Sequence, residues 1–171
     1  MMLRPDASAG TLKIVPESPA RDADEIEALF DVTFGPGHFA KTAERLREYN
    51  HSLPEITRVA RLDRQIIGVC RVWPIRVGET PALFYGPVAV APKHQGQRLG
   101  LSITGEALEA GTGSGWPLAV LIGAPAYFGE LGFEVAARGA LEFPGPQDPG
   151  RVMIRPLRDS LSDLSGPVRA F

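Results

Sequence analysis

Alternation of apolar and polar residues along the first third of the chain predicts one strand followed by two helices. Residues 11–15 have the short β-prone pattern of a strand. A helix is predicted to follow, with Ser18 as its N-cap and Pro19 as its first helical residue. Its buried face holds four apolar residues at helical spacing: Ile26, Leu29, Phe30 and Phe34. A second amphipathic helix is predicted at residues 39–49.

The middle of the chain predicts three consecutive strands joined by tight turns, which is an antiparallel meander. After the meander come a helix, a buried strand parallel to the third strand, a short helix, an irregular strand with a break at Gly139, and an edge strand. These elements cover, in order, residues 57–62, 65–77, 82–91, 96–110, 118–122, 125–131, 133–143 and 151–157. The pattern predicts an α/β (α+β) fold in which about four helices flank a mixed, mostly antiparallel sheet of six or seven strands.

Two prolines predict an opening in this sheet. Pro87 lies inside a strand that should be central, where it removes one hydrogen bond from the ladder. Gly123 and Pro125 lie at the end of its parallel neighbour. We therefore expect the sheet to be splayed between the fourth and fifth strands, counted from the strand at residues 11–15.

Composition narrows the class of protein. Of the 171 residues, 44% are hydrophobic and 22% charged, the net charge is −2 and the pI is about 5.9. These values are typical of a soluble globule and argue against a nucleic-acid or anionic-membrane partner. The single Cys70 excludes an internal disulfide and favours a reducing, cytoplasmic location. We expect a flexible tail at 1–10, one domain at 11–157 and a C-terminal tail at 158–171.

The chemistry concentrates where the third meander strand ends. An apolar strand is stopped by Pro92, a loop with Gly96 and Gly100 follows, and an amphipathic helix then begins. Backbone N–H groups of such a loop point into one concavity, and the helix dipole adds about half a positive charge. The arrangement predicts an anion site.

The loop resembles motif A of the GNAT acetyltransferase superfamily, Gln/Arg-x-x-Gly-x-Gly/Ala. Here it reads Gln95-Gly-Gln-Arg-Leu-Gly100, with Arg98 in place of the middle glycine. Residues 123–133, Gly-Ala-Pro-Ala-Tyr-Phe-Gly-Glu-Leu-Gly-Phe, resemble motif B, in the subgroup that ends Pro-Ala-Tyr-Tyr-x-x-Phe-Gly-Phe. The likeness extends over residues 11–135.

This resemblance implies a GNAT fold with acetyl-CoA as the acyl-donor substrate and no metal. The loop would hold the coenzyme's pyrophosphate, and its pantetheine arm would lie in the opening of the sheet. The expected cofactor-binding residues are Val88, Ala89, Val90, Gln95, Gly96, Gln97, Arg98, Leu99, Gly100, Leu101, Tyr127 and Phe128.

The reaction that follows is acetyl transfer, by direct attack on the thioester, to a primary amine of a small molecule or peptide. The Val90 N–H is the candidate to stabilise the oxyanion. Relatives often use a tyrosine to protonate the leaving thiolate, but Phe128 stands at that position, so Tyr127 or Tyr85 is the candidate acid. No carboxylate lies in residues 82–91, which leaves a water relay or one of several side chains as the base. Those side chains are Glu79, Tyr85, His38, His51 and His94.

Two other functions stay open on the sequence. The chain can be a non-catalytic acyl-CoA-binding module, which Phe128 and the missing carboxylate favour. It can also be a nucleotide-phosphate binder that uses the same loop for ATP or NAD. Trp73 is expected either to shape an acceptor pocket or to pack in the core. The edge at 151–157 is expected to be available for pairing with a second copy in a homodimer.

Overall fold

The computed structural model describes residues 10–35, 42–159, 161 and 164–171. Its helices are α1 (Pro19–Phe34), α2 (Thr42–Arg45), α3 (Leu99–Gly113) and α4 (Pro125–Phe128). Single 3₁₀ turns cover Pro92–His94, Gly129–Leu131 and Pro149–Arg151. None of the helices in these residues has the length and apolar character needed to cross a membrane.

Nine strands are found in the described residues, and they form one mixed sheet with the order β1-β2-β3-β4-β5-β8-β6. Strand β9 pairs with β3 and β7. Only the β4–β5 and β7–β9 pairs are parallel, so the predicted mixed, mostly antiparallel sheet is confirmed. The strands are β1 (Leu12–Pro16), β2 (Arg58–Leu62), β3 (Gln65–Val77), β4 (Thr80–Val90), β5 (Leu118–Ile122), β6 (Glu134–Val135), β7 (Leu141–Glu142), β8 (Val152–Pro156) and β9 (Gly166–Ala170).

The core lies on both faces of this sheet. Helix α3 packs through Ile103, Ala107 and Leu108 on one face, and α1 packs on the other. Adjacent residues of β3 divide between the two clusters, with Val69 on the α1 face and Cys70 on the α3 face, because side chains alternate along a strand. Burial of each large apolar side chain stabilises the fold by about 1.5–3 kcal/mol.

Helix α1 begins at the predicted residues. Ser18 is the N-cap in extended conformation and Pro19 follows it, but the Ser18 side chain makes no capping bond. The carboxylate of Asp22 accepts the Ser18 N–H at 2.8 Å instead, and it also binds Arg21 and Arg61. Burial works to raise the pKa of Asp22, yet these hydrogen bonds together lower it. The buried carboxylate therefore ties the start of α1 to β2.

Three predicted elements differ from the structure in extent. Helix α2 covers only Thr42–Arg45 of the predicted 39–49, and residues 36–41 lie outside the described part of the chain. The predicted strand 133–143 is divided into β6 and β7. The irregularity expected at Gly139 is confirmed, since this residue has φ +77° in the connecting turn.

Helix α3 is shifted relative to its prediction, because it begins at Leu99 and continues to Gly113. The glycine-rich segment 111–115 falls between two predicted elements, but its first part is helical. A reason is visible at Gly111, where a β-carbon would come within 2.3 Å of the Tyr85 hydroxyl and 2.9 Å of a Leu83 methyl. Glycine here lets the helix lie close against β4.

The prediction of a C-terminal tail at 158–171 is wrong for its last part. Strand β9 pairs with the end of β3, further along that strand than the part paired with β2. Val168 and Ala170 lie opposite Val77 and Ile75 of β3. The ring of Phe171 then lies 5.6 Å from that of Trp116. Long-range pairing of this kind leaves little trace in a short local pattern. The N-terminal tail prediction falls on residues 1–9, which lie outside the described residues, and on Gly10.

The prediction that residues 151–157 form a free edge is also wrong. Strand β8 pairs with β5 at five positions and with β6 at Ile154 and Met153. It therefore lies inside the sheet, and the proposed route to a homodimer through this edge is not available over those residues.

Candidate active site

Strands β4 and β5 separate soon after they meet. They pair only at Leu83↔Ala119 and Phe84↔Val120, although β4 runs on to Val90 and β5 to Ile122. Beyond Phe84, β4 stays paired with β3 alone. The splay predicted from Pro87 is thus confirmed, and it leaves a gap between the two strands.

The backbone of β4 offers hydrogen-bonding groups to this gap. The Ala91 N–H donates to the Ile67 carbonyl of β3 at 2.8 Å. Because the carbonyl of one residue and the N–H of the next point in opposite directions along a strand, the Val90 carbonyl points away from β3. The Val90 N–H shares that direction. The N–H and carbonyl of Val88, two residues earlier, also point away from β3. The Ala89 side chain between them is buried on the α1 face.

The loop after β4 ends at a helix N-terminus that no side chain caps. A 3₁₀ turn over Pro92–His94 is followed by Gly96 with φ +78°. Helix α3 begins at Leu99, so the N–H groups of Leu99, Gly100 and Leu101 have no acceptor within the helix. Beside them, Gln95 Nε2 donates to the Val90 carbonyl at 3.0 Å, which fixes the loop against the gap. The sequence predicted an anion site at this place, and the structure has uncapped backbone N–H groups there; the anion site itself stays a prediction.

Arg98 occupies an unusual backbone position at the junction of loop and helix. It is the residue before α3 and has the left-handed conformation, with φ 61° and ψ 15°. Glycine adopts this conformation without the steric cost of a β-carbon. This explains why the resembled motif has a glycine here, and it shows that the loop keeps its shape with arginine.

The Arg98 side chain reaches across to the segment after α4. Its guanidinium binds both carboxylate oxygens of Glu130, with Nη1 3.2 Å from Oε1. The hydrogen bond from Arg98 lowers the pKa of Glu130, and the same bond raises the pKa of Arg98. Sequence analysis did not single out Glu130, because nothing local to residue 130 indicates a partner 32 residues away.

Tyr127 of α4 lies over the first turn of α3. A β-carbon on Gly100 would stand 2.7 Å from the Tyr127 hydroxyl and 3.6 Å from Val90 Cγ2. The absence of a side chain at Gly100 thus makes room for the hydroxyl beside Val90. Three of the predicted site residues, Gly100, Val90 and Tyr127, therefore lie close together, and Tyr127 keeps 36% of its surface exposed.

Phe128 points in a different direction from its neighbour. The two rings are 4.9 Å apart and nearly perpendicular. A β-carbon on Gly123 would lie 2.4 Å from the Phe128 ring, so this ring covers the C-terminal end of β5. The ring packs against the apolar core cluster on the α3 face and offers no proton.

The structure does not bring Tyr85 to this site. Its ring is 2% exposed, and its hydroxyl lies against Gly111 in the C-terminal half of α3. This hydroxyl has no hydrogen-bond partner among the residues that the structure describes. Burial is the main cause that raises the pKa of Tyr85.

The candidate bases are scattered. Glu79 precedes β4 at the end remote from Val90, and its Oε1 lies 3.1 Å from Arg169 Nη2. His51 is exposed in the turn before β2, His94 lies in the 3₁₀ turn, and His38 is outside the described residues. Among the described residues no group of three or more His, Cys, Asp or Glu side chains is arranged to hold a metal ion.

The opposite face of β4 carries a buried charge cluster and an indole. Arg71 is the single residue of β3 that lies opposite Gly86 and Pro87, so the bulge in this pair of strands is on β4. Its guanidinium binds Glu17 at 2.9 Å and Glu27 at 2.6 Å. Trp73 is 9% exposed and donates its indole N–H to the Gly86 carbonyl at 2.8 Å, so it packs in the core while holding the start of the unpaired stretch.

Comparison with known proteins adds a second kind of observation. The model of the acetyltransferase (GNAT) family matches residues 23–123. The chain is 32% identical to the uncharacterized N-acetyltransferase YhbS of Escherichia coli K12, over 86% of this chain and 89% of that protein.

Solved structures agree with this match. A GNAT family N-acetyltransferase (YhbS) from Escherichia coli in complex with CoA is similar at 28% identity and a TM-score of 0.81, covering 99% of this chain and 94% of that one. A GNAT family acetyltransferase from Brucella melitensis in complex with acetyl-CoA has the same fold, at 23% identity and a TM-score of 0.69, covering 95% and 96%.

Proposed function

Because the chain belongs to the GNAT acetyltransferase family, we propose that it transfers the acetyl group of acetyl-CoA to a primary amine of a small molecule or peptide. The observation that carries this proposal is the unpaired stretch of β4 beside the uncapped start of α3. One of the solved structures to which this chain is similar is a complex with CoA. A gap lined by β4 backbone groups that β5 leaves unpaired, beside an uncapped helix N-terminus, suits a long, phosphorylated thioester.

The donor would bind mainly through the backbone. Its diphosphate would accept hydrogen bonds from the uncapped N–H groups of the first turn of α3 and of the loop before it, where the helix dipole also favours negative charge. The pantetheine amides would pair with the Val88–Val90 backbone, and Phe128 would pack against the arm. The loop and helix residues in this role are Gln95, Gly96, Gln97, Arg98, Leu99, Gly100 and Leu101.

The acetyl transfer needs orientation, charge stabilisation and two proton movements. The acceptor nitrogen attacks the thioester carbonyl carbon, and the Val90 N–H donates to the oxyanion that forms. The carbon–sulfur bond then breaks and the electron pair leaves on sulfur. The Tyr127 hydroxyl is our candidate to protonate that thiolate, and the ammonium proton of the acceptor passes to water. A thiol with a pKa of about 8.5 is a fair leaving group, so the acid accelerates this step without being indispensable.

Tyr127 is preferred to Tyr85 for this role on position. Tyr127 keeps 36% of its surface exposed, and its hydroxyl and Val90 Cγ2 lie 2.7 Å and 3.6 Å from the position of a β-carbon on Gly100. The Tyr85 hydroxyl is enclosed between β4 and α3, and burial strongly favours its neutral form. A proton donor must reach the reacting sulfur, and only the first of these two can do so without unpacking the core.

The acceptor class, the motif B subgroup, the domain limits and the location are proposed as well. A net charge of −2 favours a cationic amine. We also propose that residues 123–133 belong to the Pro-Ala-Tyr-Tyr-x-x-Phe-Gly-Phe form of motif B, that residues 11–157 together with β9 form a single domain, and that the protein works in the cytoplasm.

Binding and turnover should be tested separately. Acetyl-CoA at 100 times its Kd should stabilise the folded protein by about 2.7 kcal/mol, which a thermal shift detects, and calorimetry gives the Kd. Release of free CoA thiol is then followed across a panel of small amines and peptides. Absence of any binding at millimolar acetyl-CoA would end the proposal. Binding without thiol release from any amine would indicate an acyl-CoA-binding module, and displacement by ATP or NAD would indicate a nucleotide site.

A further inference from the structure

The ion pair between Arg98 and Glu130 joins the two segments that border the candidate donor site. Arg98 immediately precedes the uncapped N–H groups of Leu99–Leu101, and Glu130 lies in the 3₁₀ turn after α4. Both Nη atoms of Arg98 are used on Glu130. Its side chain makes no capping bond to α3.

The pair is exposed and therefore exchangeable. The Arg98 side chain keeps 66% of its surface accessible and the Glu130 side chain 47%. An ion pair in such contact with water adds little to stability, because solvent and salt screen it. A guanidinium in this position is free to change partners when a better anion arrives.

A phosphate at the start of α3 would be such an anion. Arginine binds phosphate with two parallel hydrogen bonds, the same geometry that it now makes with Glu130. The paired Nη1 and Nη2 donors that Arg98 gives to Glu130 cannot form the same two bonds to a phosphate at the same time. The Glu130 carboxylate would in addition repel a phosphate bound beside it.

We propose that Glu130 competes with the donor's phosphate groups for Arg98, and so weakens acetyl-CoA binding and speeds the release of CoA after transfer. This inference rests on the proposed function. Donor binding transfers Arg98 from the carboxylate to a phosphate, and departure of CoA lets the carboxylate recover it. Glu130 is on this view a residue that sets donor affinity, and it takes no part in the chemical step.

The test compares Glu130→Gln with Glu106→Gln. Glu106 lies on α3 and lines the same surface recess as Arg98, Glu130 and Glu109, so its replacement removes an equal charge without releasing the guanidinium. We expect Glu130→Gln to lower the Kd of acetyl-CoA about threefold to fivefold and to slow CoA dissociation. Glu106→Gln should change the Kd much less.

Two further measurements identify the mechanism. S-acetylpantetheine has no phosphate, so Glu130→Gln should leave its KM unchanged. In the Arg98→Gln background, Glu130→Gln should lose most of its effect, which a double-mutant cycle measures.

The inference is overturned if Glu130→Gln weakens acetyl-CoA binding or leaves it unchanged. Either result would mean that the ion pair only holds the two segments together. Equal tightening by Glu106→Gln, or equal tightening for S-acetylpantetheine, overturns it as well. Since all these comparisons start from a wild-type protein that binds acetyl-CoA, failure of the proposed function would appear separately, as no wild-type binding. Thermal unfolding of each variant confirms that it is folded.

Discussion

The Tyr127 hydroxyl lies only 2.7 Å from the position that a β-carbon on Gly100 would take, which is too close for both to be present. Two motifs that are separate in the chain thus come into contact because Gly100 has no side chain. Gly100, the last glycine of the loop motif, leaves room for the Tyr127 hydroxyl and also contributes one of the uncapped N–H groups of α3.

Gly100→Ala should therefore damage the site. The new methyl group displaces the Tyr127 hydroxyl and crowds the uncapped N–H groups, so we expect the KM for acetyl-CoA to rise about tenfold or more. Gly105→Ala is the matched control, since its methyl would meet only a Leu131 methyl at 3.6 Å. That variant should bind normally and gain up to about 1 kcal/mol of stability from helix propensity. Equal KM values for the two variants would contradict the contact.

Tyr127→Phe tests the proposed proton donor. It keeps the ring that packs on Phe128 and removes only the hydroxyl, so kcat should fall about 10²-fold while the Kd of acetyl-CoA changes little. Steady-state thiol release and calorimetry give the two values. An unchanged kcat would show that solvent protonates the thiolate.

Tyr85→Phe should have the opposite profile. The Tyr85 hydroxyl is buried against Gly111 without a hydrogen-bond partner. Its removal relieves an unsatisfied polar group, so the free energy of unfolding should rise by about 1 kcal/mol with kcat unchanged. Urea unfolding measures the first and the thiol assay the second. A large loss of kcat would instead make Tyr85 catalytic, as the sequence allowed.

Arg71→Met should destabilise the fold by about 3–5 kcal/mol, because it leaves the buried Glu17 carboxylate without its cation. The double variant with Glu17→Met removes both charges and should regain a large part of that loss. Glu27→Gln, at the half-exposed partner of Arg71, should cost much less. Urea unfolding with a common m-value would check this order, and a double variant no better than Arg71→Met would contradict it.

Cys70 predicts a loss of stability in alkali. Burial raises the pKa of its thiol from 9.0 to about 12. Below about pH 9 the thiol is protonated in both the folded and the unfolded chain, so its contribution to the free energy of unfolding is fully present there. Between about pH 9 and pH 12 only the unfolded chain loses the proton, and unfolding becomes easier by about 1.4 kcal/mol per pH unit. Urea unfolding at about pH 8 and pH 10 should show a smaller pH effect in Cys70→Ala, and equal effects would refute the shift.

Much of the fold was predictable because its determinants are local. β3 and β5 are found at their predicted residues, Ser18 and Pro19 begin α1, and Pro87 marks the end of β4–β5 pairing. The residues immediately around a strand or helix start restrict φ, ψ and burial enough to determine these elements. Strand β9 was missed because its pattern is short and its partner β3 lies some 90 residues earlier.

The sequence by itself determined most of the elements and the glycine-containing loop before α3, since glycine, proline and apolar periodicity act on the backbone where they stand. Only the tertiary structure decided which side chains surround that loop. It turned Tyr127 toward Gly100 and Tyr85 away from the gap, and it brought Glu130 to Arg98. The physical reason is that such contacts depend on how helices pack across the sheet, and packing depends on residues from the whole chain at once.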